Sequence, residues 1–247
     1  MLANKTYNQV ITYLEKDKRI LLPIGSTEQH GPDACLGVDH ITATGIAYML
    51  AEITGILCAP PLNIGMAMHH SDFPGTIALR PTTYINVIMD VVRSLKKSGF
   101  REVIIINGHG GNKGPFLNAL QEAGNEFAEI NFEFVNWWVM PGLEKNIIEG
   151  KFGEKEGYHA TPTEISLTMA LTPGMMTMPE SYNCPNKPKG KHNVEWVMPA
   201  KFKELYPDGV MRADYSGASE EIGLEVLEAA VTEIIEELKL LPQPATL

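Results

Sequence analysis

The chain has 247 residues, 44% of them hydrophobic and 20% charged, and a net charge of −10 from 30 acidic and 20 basic side chains. That balance argues against nucleic acid as a partner, because phosphate binding draws on clustered Lys and Arg. No run approaches the ~18 apolar residues that span a bilayer, and the N-terminal residues lack a basic start followed by an apolar block, so no membrane partner is expected. Cys35, Cys58 and Cys184 share no close spacing and read as reduced thiols, which makes a cytoplasmic location the expectation.

In chain order, a first helix is predicted from Thr6 to Asp17, with Val10, Ile11 and Leu14 on one face. "RILLPIG" (Arg19 to Gly25) reads as a buried strand. "DHITATGIAYMLAEIT" (Asp39 to Thr54) reads as a helix, and "GILCAPPL" (Gly55 to Leu62) as a second strand stopped by two prolines. Ile64 to Ala78 reads as a loop carrying "HHSDFPGT". A helix follows from Thr82 to Phe100, with Lys96 and Lys97 in its last turns and Gly99 as its stop. "EVIIING" (Glu102 to Gly108) is apolar almost throughout, as a parallel strand covered on both faces should be. A helix from about Gly114 to Phe127 and a fourth strand, Asn131 to Val139, complete the alternation. Residues 140–160 and 172–218 read as irregular, and the chain closes on a helix from Ser219 to Leu240. Strands alternating with helices predict an α/β fold, a mainly parallel sheet layered between helices.

Ligands collect at the carboxyl ends of strands in such sheets. Glu28 and His30 follow the first strand, His69, His70 and Asp72 follow the second, and His109 follows the third inside "NGHGGN". Imidazole and carboxylate together suit Zn, Mn or Fe. An Asp can bridge two ions, so Glu28, His30, Asp39, His109 and Glu164 would supply a two-metal site. Glycines around His109 let backbone approach ions or substrate. Plainer readings stand beside these. Glu28 and Asp39 could be helix-terminal carboxylates favoured by the dipole. "TPTE" (Thr161 to Glu164) fits a capping box, with Glu164 at N3. His159 could be a general acid and base or a surface-loop histidine. His40 reads as structural, Cys35 as a small buried hydrophobe, and His192 as solvated.

"LLPIGSTEQHGP", "LGVDH", "HSDFPGTIAL", "NGHGGN" and "HATPTEISLTMAL", in that order and spacing, resemble the successive signatures of the creatininase (creatinine amidohydrolase) family. The match runs from about Ile20 to Leu171 and resumes weakly at "DYSGASEEIG" (Asp214 to Gly223). The resemblance implies one three-layer α/β/α domain over residues 1–247. It implies a two-metal hydrolase, typically with Zn and also with Mn or Fe, that cleaves non-peptide C–N bonds of small molecules through a water activated at the metals. It carries ligand roles to Glu28, His30, Asp39 and His109, with Asp39 as the bridge. It lifts Glu164 toward a ligand role, assigns proton transfer to His159, and suggests a homo-oligomer, commonly a hexamer.

His70, Gly110, Trp137 and Trp138 are the expected substrate contacts. Creatininase proper carries a Tyr and a ligating Glu after the metal-binding His, where this chain has Gly110 and Gly111, and it stacks its substrate between tryptophans. "GEKEGYH" holds no Trp, which argues against creatinine itself as the substrate. The wider family offers cyclic amides and formamides, with hydrolysis of a cyclic ketone from inositol breakdown as the alternative. A catalytically inactive binding protein on the same fold is the alternative from another class. Lys187, Lys189 and Lys191 read either as a solvated loop or as contacts for an anionic substrate.

Overall fold

The computed structural model describes residues 1–182 and 199–241. Lys187, Lys189, Lys191, His192 and Cys184 lie outside the described residues. Four parallel strands, β1 (Arg19–Ile24), β2 (Leu57–Cys58), β3 (Glu102–Asn107) and β4 (Asn131–Asn136), stand in the order β2-β1-β3-β4. Ile24 pairs with Asn107, and Asn107 with Asn136, so three strands end in one row. Leu62 bridges back to Ile24, which brings the loop after β2 to the same edge.

The alternation of side chains along a strand divides the core in two. Leu21, Ile104 and Ile106 face α2 (Val38–Thr54) and α8 (Glu220–Glu237), whose Ala43, Ile46, Leu50, Val226 and Ala230 are fully buried. Ile20, Leu22, Ile24, Val103 and Ile105 face the other way, against α1 (Tyr7–Leu14), α3 (Pro81–Ser98) and α4 (Lys113–Ala123). The result is helices, sheet, helices: three layers. Behind α8 packs α6 (Pro162–Leu171); a Cβ on Gly223 would meet the Ser166 carbonyl oxygen at 1.9 Å, so glycine sets their separation. Among the described residues no helix is long and apolar enough to cross a membrane.

The departures from expectation have local causes. The second strand has only two residues in the sheet instead of eight, because Pro60 and Pro61 have no N–H for a ladder. The fourth strand ends at Asn136, and Trp137–Val139 forms a 3₁₀ turn over the sheet edge. Residues 140–160 are largely helical: α5 (Pro141–Leu143) runs into a π-helical segment, Glu144–Phe152, which ends at Gly153 with φ 54°. α7 (Pro199–Leu205) interrupts the second irregular stretch and presents Phe202 to the histidines described below.

Candidate metal centre

Two glycines decide where α2 begins. A Cβ on Gly25, just past β1, would lie 2.5 Å from the backbone of His40, and one on Gly108, just past β3, would lie 2.0 Å from the Asp39 carbonyl oxygen. The first turn of α2 therefore rests directly on the strand ends and brings Asp39 between the loops after β1 and β3. The dipole of α2 favours a carboxylate there, as the helix-terminal reading held. It is not that alone, because Asp39 Oδ1 lies 3.2 Å from His30 Nε2 and Oδ2 lies 3.2 Å from His109 Nδ1.

Backbone carbonyls orient both imidazoles. His30 Nδ1 is 3.1 Å from the Glu28 carbonyl oxygen, and His109 Nε2 is 3.1 Å from that of Met66. A carbonyl only accepts, so these nitrogens carry protons, and His30 Nε2 and His109 Nδ1 are the nitrogens turned toward the carboxylates. Asn107 holds the His109 turn at both ends, accepting from the His109 N–H at 3.2 Å and donating to the His109 carbonyl at 2.8 Å. Glu28 is fully buried, with Oε1 3.2 Å from His109 Nδ1 and 3.3 Å from His70 Nε2.

Both Glu28 oxygens, His30 Nε2 and Asp39 Oδ2 are buried without a hydrogen-bond partner. Buried polar atoms almost always have partners, and four orphans converging on one space are what divalent cations would satisfy. Among the described residues three sets of donors meet that description: Glu28, Asp39 and His109; His30, His159 and Glu164; and Glu28, His70 and His159, each set within 4.8 Å. Without cations the charges lean on each other. Burial opposes ionisation of Asp39, but His30 and then His109 outweigh it and hold the carboxyl well below its usual range. Burial likewise opposes charge on His30, yet Asp39, Glu164 and Glu28 lift it to about 9. Glu28 shifts upward, chiefly because it is buried.

Glu164 serves both readings at once. Its Oε1 accepts from the Thr161 N–H at 2.6 Å and the Thr161 hydroxyl accepts from the Glu164 N–H at 3.2 Å, a complete capping box for α6. Its Oε2 faces His30 Nε2 at 4.0 Å. Burial raises this carboxyl to about 7. His159 lies with its ring centroid 4.3 Å from that of His30 and its Nδ1 3.8 Å from Glu28 Oε1. Burial, then the charge of His30, keeps it neutral, well below its ordinary value.

A cavity of about 440 Å³ opens onto this cluster. Asp39, His109, Gly110, His159 and Glu164 form its floor; Trp138, Val139, Glu144, Ile148, Glu156 and Tyr158 form its wall. Of the four expected substrate contacts, Gly110 and Trp138 line this cavity. Trp137 and His70 do not. Trp137 is 1% exposed in the core beneath the sheet edge, edge-on to Trp138, because the 3₁₀ turn after β4 sends the two indoles to opposite sides. His70 is also 1% exposed and sits behind Glu28, packed against Phe202. His40 is half-buried at the start of α2, and Cys35 is half-buried, its N–H on Met176 Sδ at 3.0 Å. A second cavity of about 490 Å³, between α1 and the end of α2, gathers no comparable donor set among the described residues.

Three residues escaped the sequence reading. Gln29 hides between Glu28 and His30 as an ordinary polar residue. Glu144 and Glu156 look like solvated charges in lysine-rich stretches, and only the π-helical segment and the turn before His159 bring them to the cavity wall.

Fold and donor cluster together define an α/β/α protein with a candidate metal centre at the carboxyl edge of a parallel sheet. The profile of the creatininase (creatinine amidohydrolase) family matches residues 3–238, and the chain belongs to that family. It is 30% identical to 3-dehydro-scyllo-inosose hydrolase of Thermotoga maritima over 83% of this chain, spanning 61% of that protein's length. It is 26% identical to creatinine amidohydrolase of Pseudomonas putida, over 89% of this chain and 88% of that one. Solved creatininase structures, one of Zn-Zn type and one with Mn, share its fold at a TM-score of 0.83 and 24% identity over 96% of both chains.

Proposed function

We propose that this chain is a divalent-metal-dependent amidohydrolase that cleaves a non-peptide C–N bond, in a cyclic amide or formamide, of a small molecule. The observation that carries the reading is Asp39, whose two oxygens each address a different imidazole at 3.2 Å while the atoms around it lack hydrogen-bond partners. Glu28, Asp39 and His109 would hold one ion and His30, Asp39 and Glu164 the other. When bound, a pair of divalent ions polarises a carbonyl and lowers the pKa of water. Zinc fits the donor set best, with Mn or Fe as alternatives.

The chain's own residues supply the rest. His159, neutral and at the cavity floor, takes the proton of the attacking water and returns it to the departing nitrogen. Trp138 and Gly110 border the substrate. Replacement of the second tryptophan and of the ligating Glu, by residues such as Tyr158 and Gly111, supports a substrate other than creatinine. A second reading, ring-opening of a cyclic ketone on the same site, is favoured by the identity to the Thermotoga enzyme across most of this chain. We further propose a cytoplasmic homo-oligomer formed by one domain.

The test measures metal content in the purified protein, then activity of the Zn- and Mn-loaded forms against lactams, formamides and cyclic ketones. Asp39→Ala is expected to lose metal and turnover together. Full metal content in that variant, or an inert and metal-free wild type, overturns the proposal; the latter outcome returns the binding-protein alternative.

A further inference from the structure

We propose that Gln29 is a positioning residue that sets which nitrogen of His159 and of His70 carries a proton, and so makes Nδ1 of His159 the atom that transfers protons. This rests on the hydrolase reading above but is read out independently of it.

The side-chain amide of Gln29 is oriented by two backbone groups that admit one arrangement. Its Oε1 is 2.9 Å from the Gly31 N–H, which only donates, and its Nε2 is 3.0 Å from the Gly209 carbonyl, which only accepts. Both are glycines at positive φ, 76° and 83°, and a Cβ on Gly209 would come 1.8 Å from Gln29 Oε1. The backbone is shaped to admit this amide.

Proton assignment follows. Gln29 Nε2 has two hydrogens and three close neighbours: the Gly209 carbonyl at 3.0 Å, His70 Nδ1 at 2.8 Å and His159 Nε2 at 3.0 Å. His159 Nε2 also lies 2.8 Å from the Gln29 main-chain carbonyl. The hydrogens balance in one way. Gln29 donates to Gly209 and to His70 Nδ1, and His159 donates its own Nε2–H to the Gln29 carbonyl. His70 is then protonated on Nε2, which lies 3.3 Å from Glu28 Oε1. The lone pair of His159 is left on Nδ1, on the Glu28 side. In turnover the water proton adds to Nδ1 and leaves from Nδ1 to the departing nitrogen, while Nε2–H stays on the Gln29 carbonyl.

The test is long-range ¹H–¹⁵N correlation of the histidine rings in Zn-loaded wild type, with His159→Asn and His70→Asn used for assignment. The expected pattern is proton on Nε2 and none on Nδ1 for both rings. In Gln29→Met the fixed pattern of both rings is expected to give way to averaging, with zinc content retained and kcat lower by about 10–100-fold at little change in KM. In Gln29→Glu, which cannot donate, the His70 proton is expected to move to Nδ1. A proton on His159 Nδ1 in wild type overturns the proposal, as does a Gln29→Met spectrum identical to wild type. Should Gln29→Met fail to fold, the wild-type spectrum alone decides. A wild type that takes up no zinc but shows the expected pattern supports the Gln29 assignment and overturns the hydrolase reading.

Discussion

Gly108 and Asp39 are in such close approach that the hydrogen on the Gly108 α-carbon stands where any side chain would strike the Asp39 carbonyl oxygen, 2.0 Å from an added Cβ. The position of the Asp39 carboxylate is thus set by an absence of side chain just past a neighbouring strand. Gly108→Ala is expected to push the first turn of α2 off the sheet edge, lowering stability by about 1–3 kcal/mol, the usual range for overpacking. Metal content is expected to fall with it. Thermal melts and metal analysis of the same preparation check this; an alanine variant with wild-type metal content contradicts the placement.

Glu164 has two oxygens with separable duties. Thr161→Ala removes the cap and is expected to cost about 1 kcal/mol of stability with metal retained. Glu164→Gln keeps a residue that serves at N3 of a capping box and is expected to melt near wild type while binding metal more weakly. Titration of the metal-free proteins with zinc distinguishes the pair. Equal zinc affinity of Glu164→Gln and wild type would leave Glu164 as a cap only.

His159 stands on the cavity floor in contact with the cluster. His159→Asn is expected to retain both ions and to lose about 10²–10⁴-fold in turnover, the span of general acid–base catalysis. Metal analysis beside single-turnover rates tests this. Loss of metal from the variant would make His159 a ligand, as its place beside His30 and Glu164 would also allow.

Glu156 forms part of the cavity wall and accepts from the Thr163 hydroxyl at 2.7 Å. Burial raises its carboxyl above the ordinary value. A raised carboxyl holds its proton more tightly in the folded chain than in the unfolded one, so its contribution is present at low pH and lost as pH rises through its folded-state value. Glu156→Gln is expected to flatten the fall in stability on the alkaline side of the ordinary carboxylate range, seen in denaturant melts across pH. With Glu144, Glu156 also makes the wall acidic. Phosphorylated or carboxylated substrate analogues are expected to bind more weakly than neutral ones, and that difference to shrink in Glu156→Gln. Parallel calorimetric titrations measure it.

Much of the site could be read along the chain. Glu28, His30 and His109 sit immediately after strongly apolar strands, and strand order at a parallel edge needs no side-chain detail to bring such residues together. The capping box at Thr161 was visible as a local pattern, and it formed. The dual duty of Glu164 was not visible, because which way its second oxygen turns depends on His30, 134 positions earlier in the chain. Trp137 and Trp138 were indistinguishable as neighbours until a 3₁₀ turn buried one and exposed the other to the cavity. His70, in a loop beside His69, gave no sign that it would be sealed behind Glu28.

The sequence by itself determined the layers and the edge at which polar groups gather, because apolar periodicity and strand-ending glycines are local properties that set burial and direction. Only the tertiary structure decided which atoms meet: the approach of α2 to Gly25 and Gly108, the amide of Gln29 between two distant glycines, the acidic wall brought by the π-helical segment. Those contacts join residues far apart in the chain, and their geometry comes from close packing, which no linear pattern encodes.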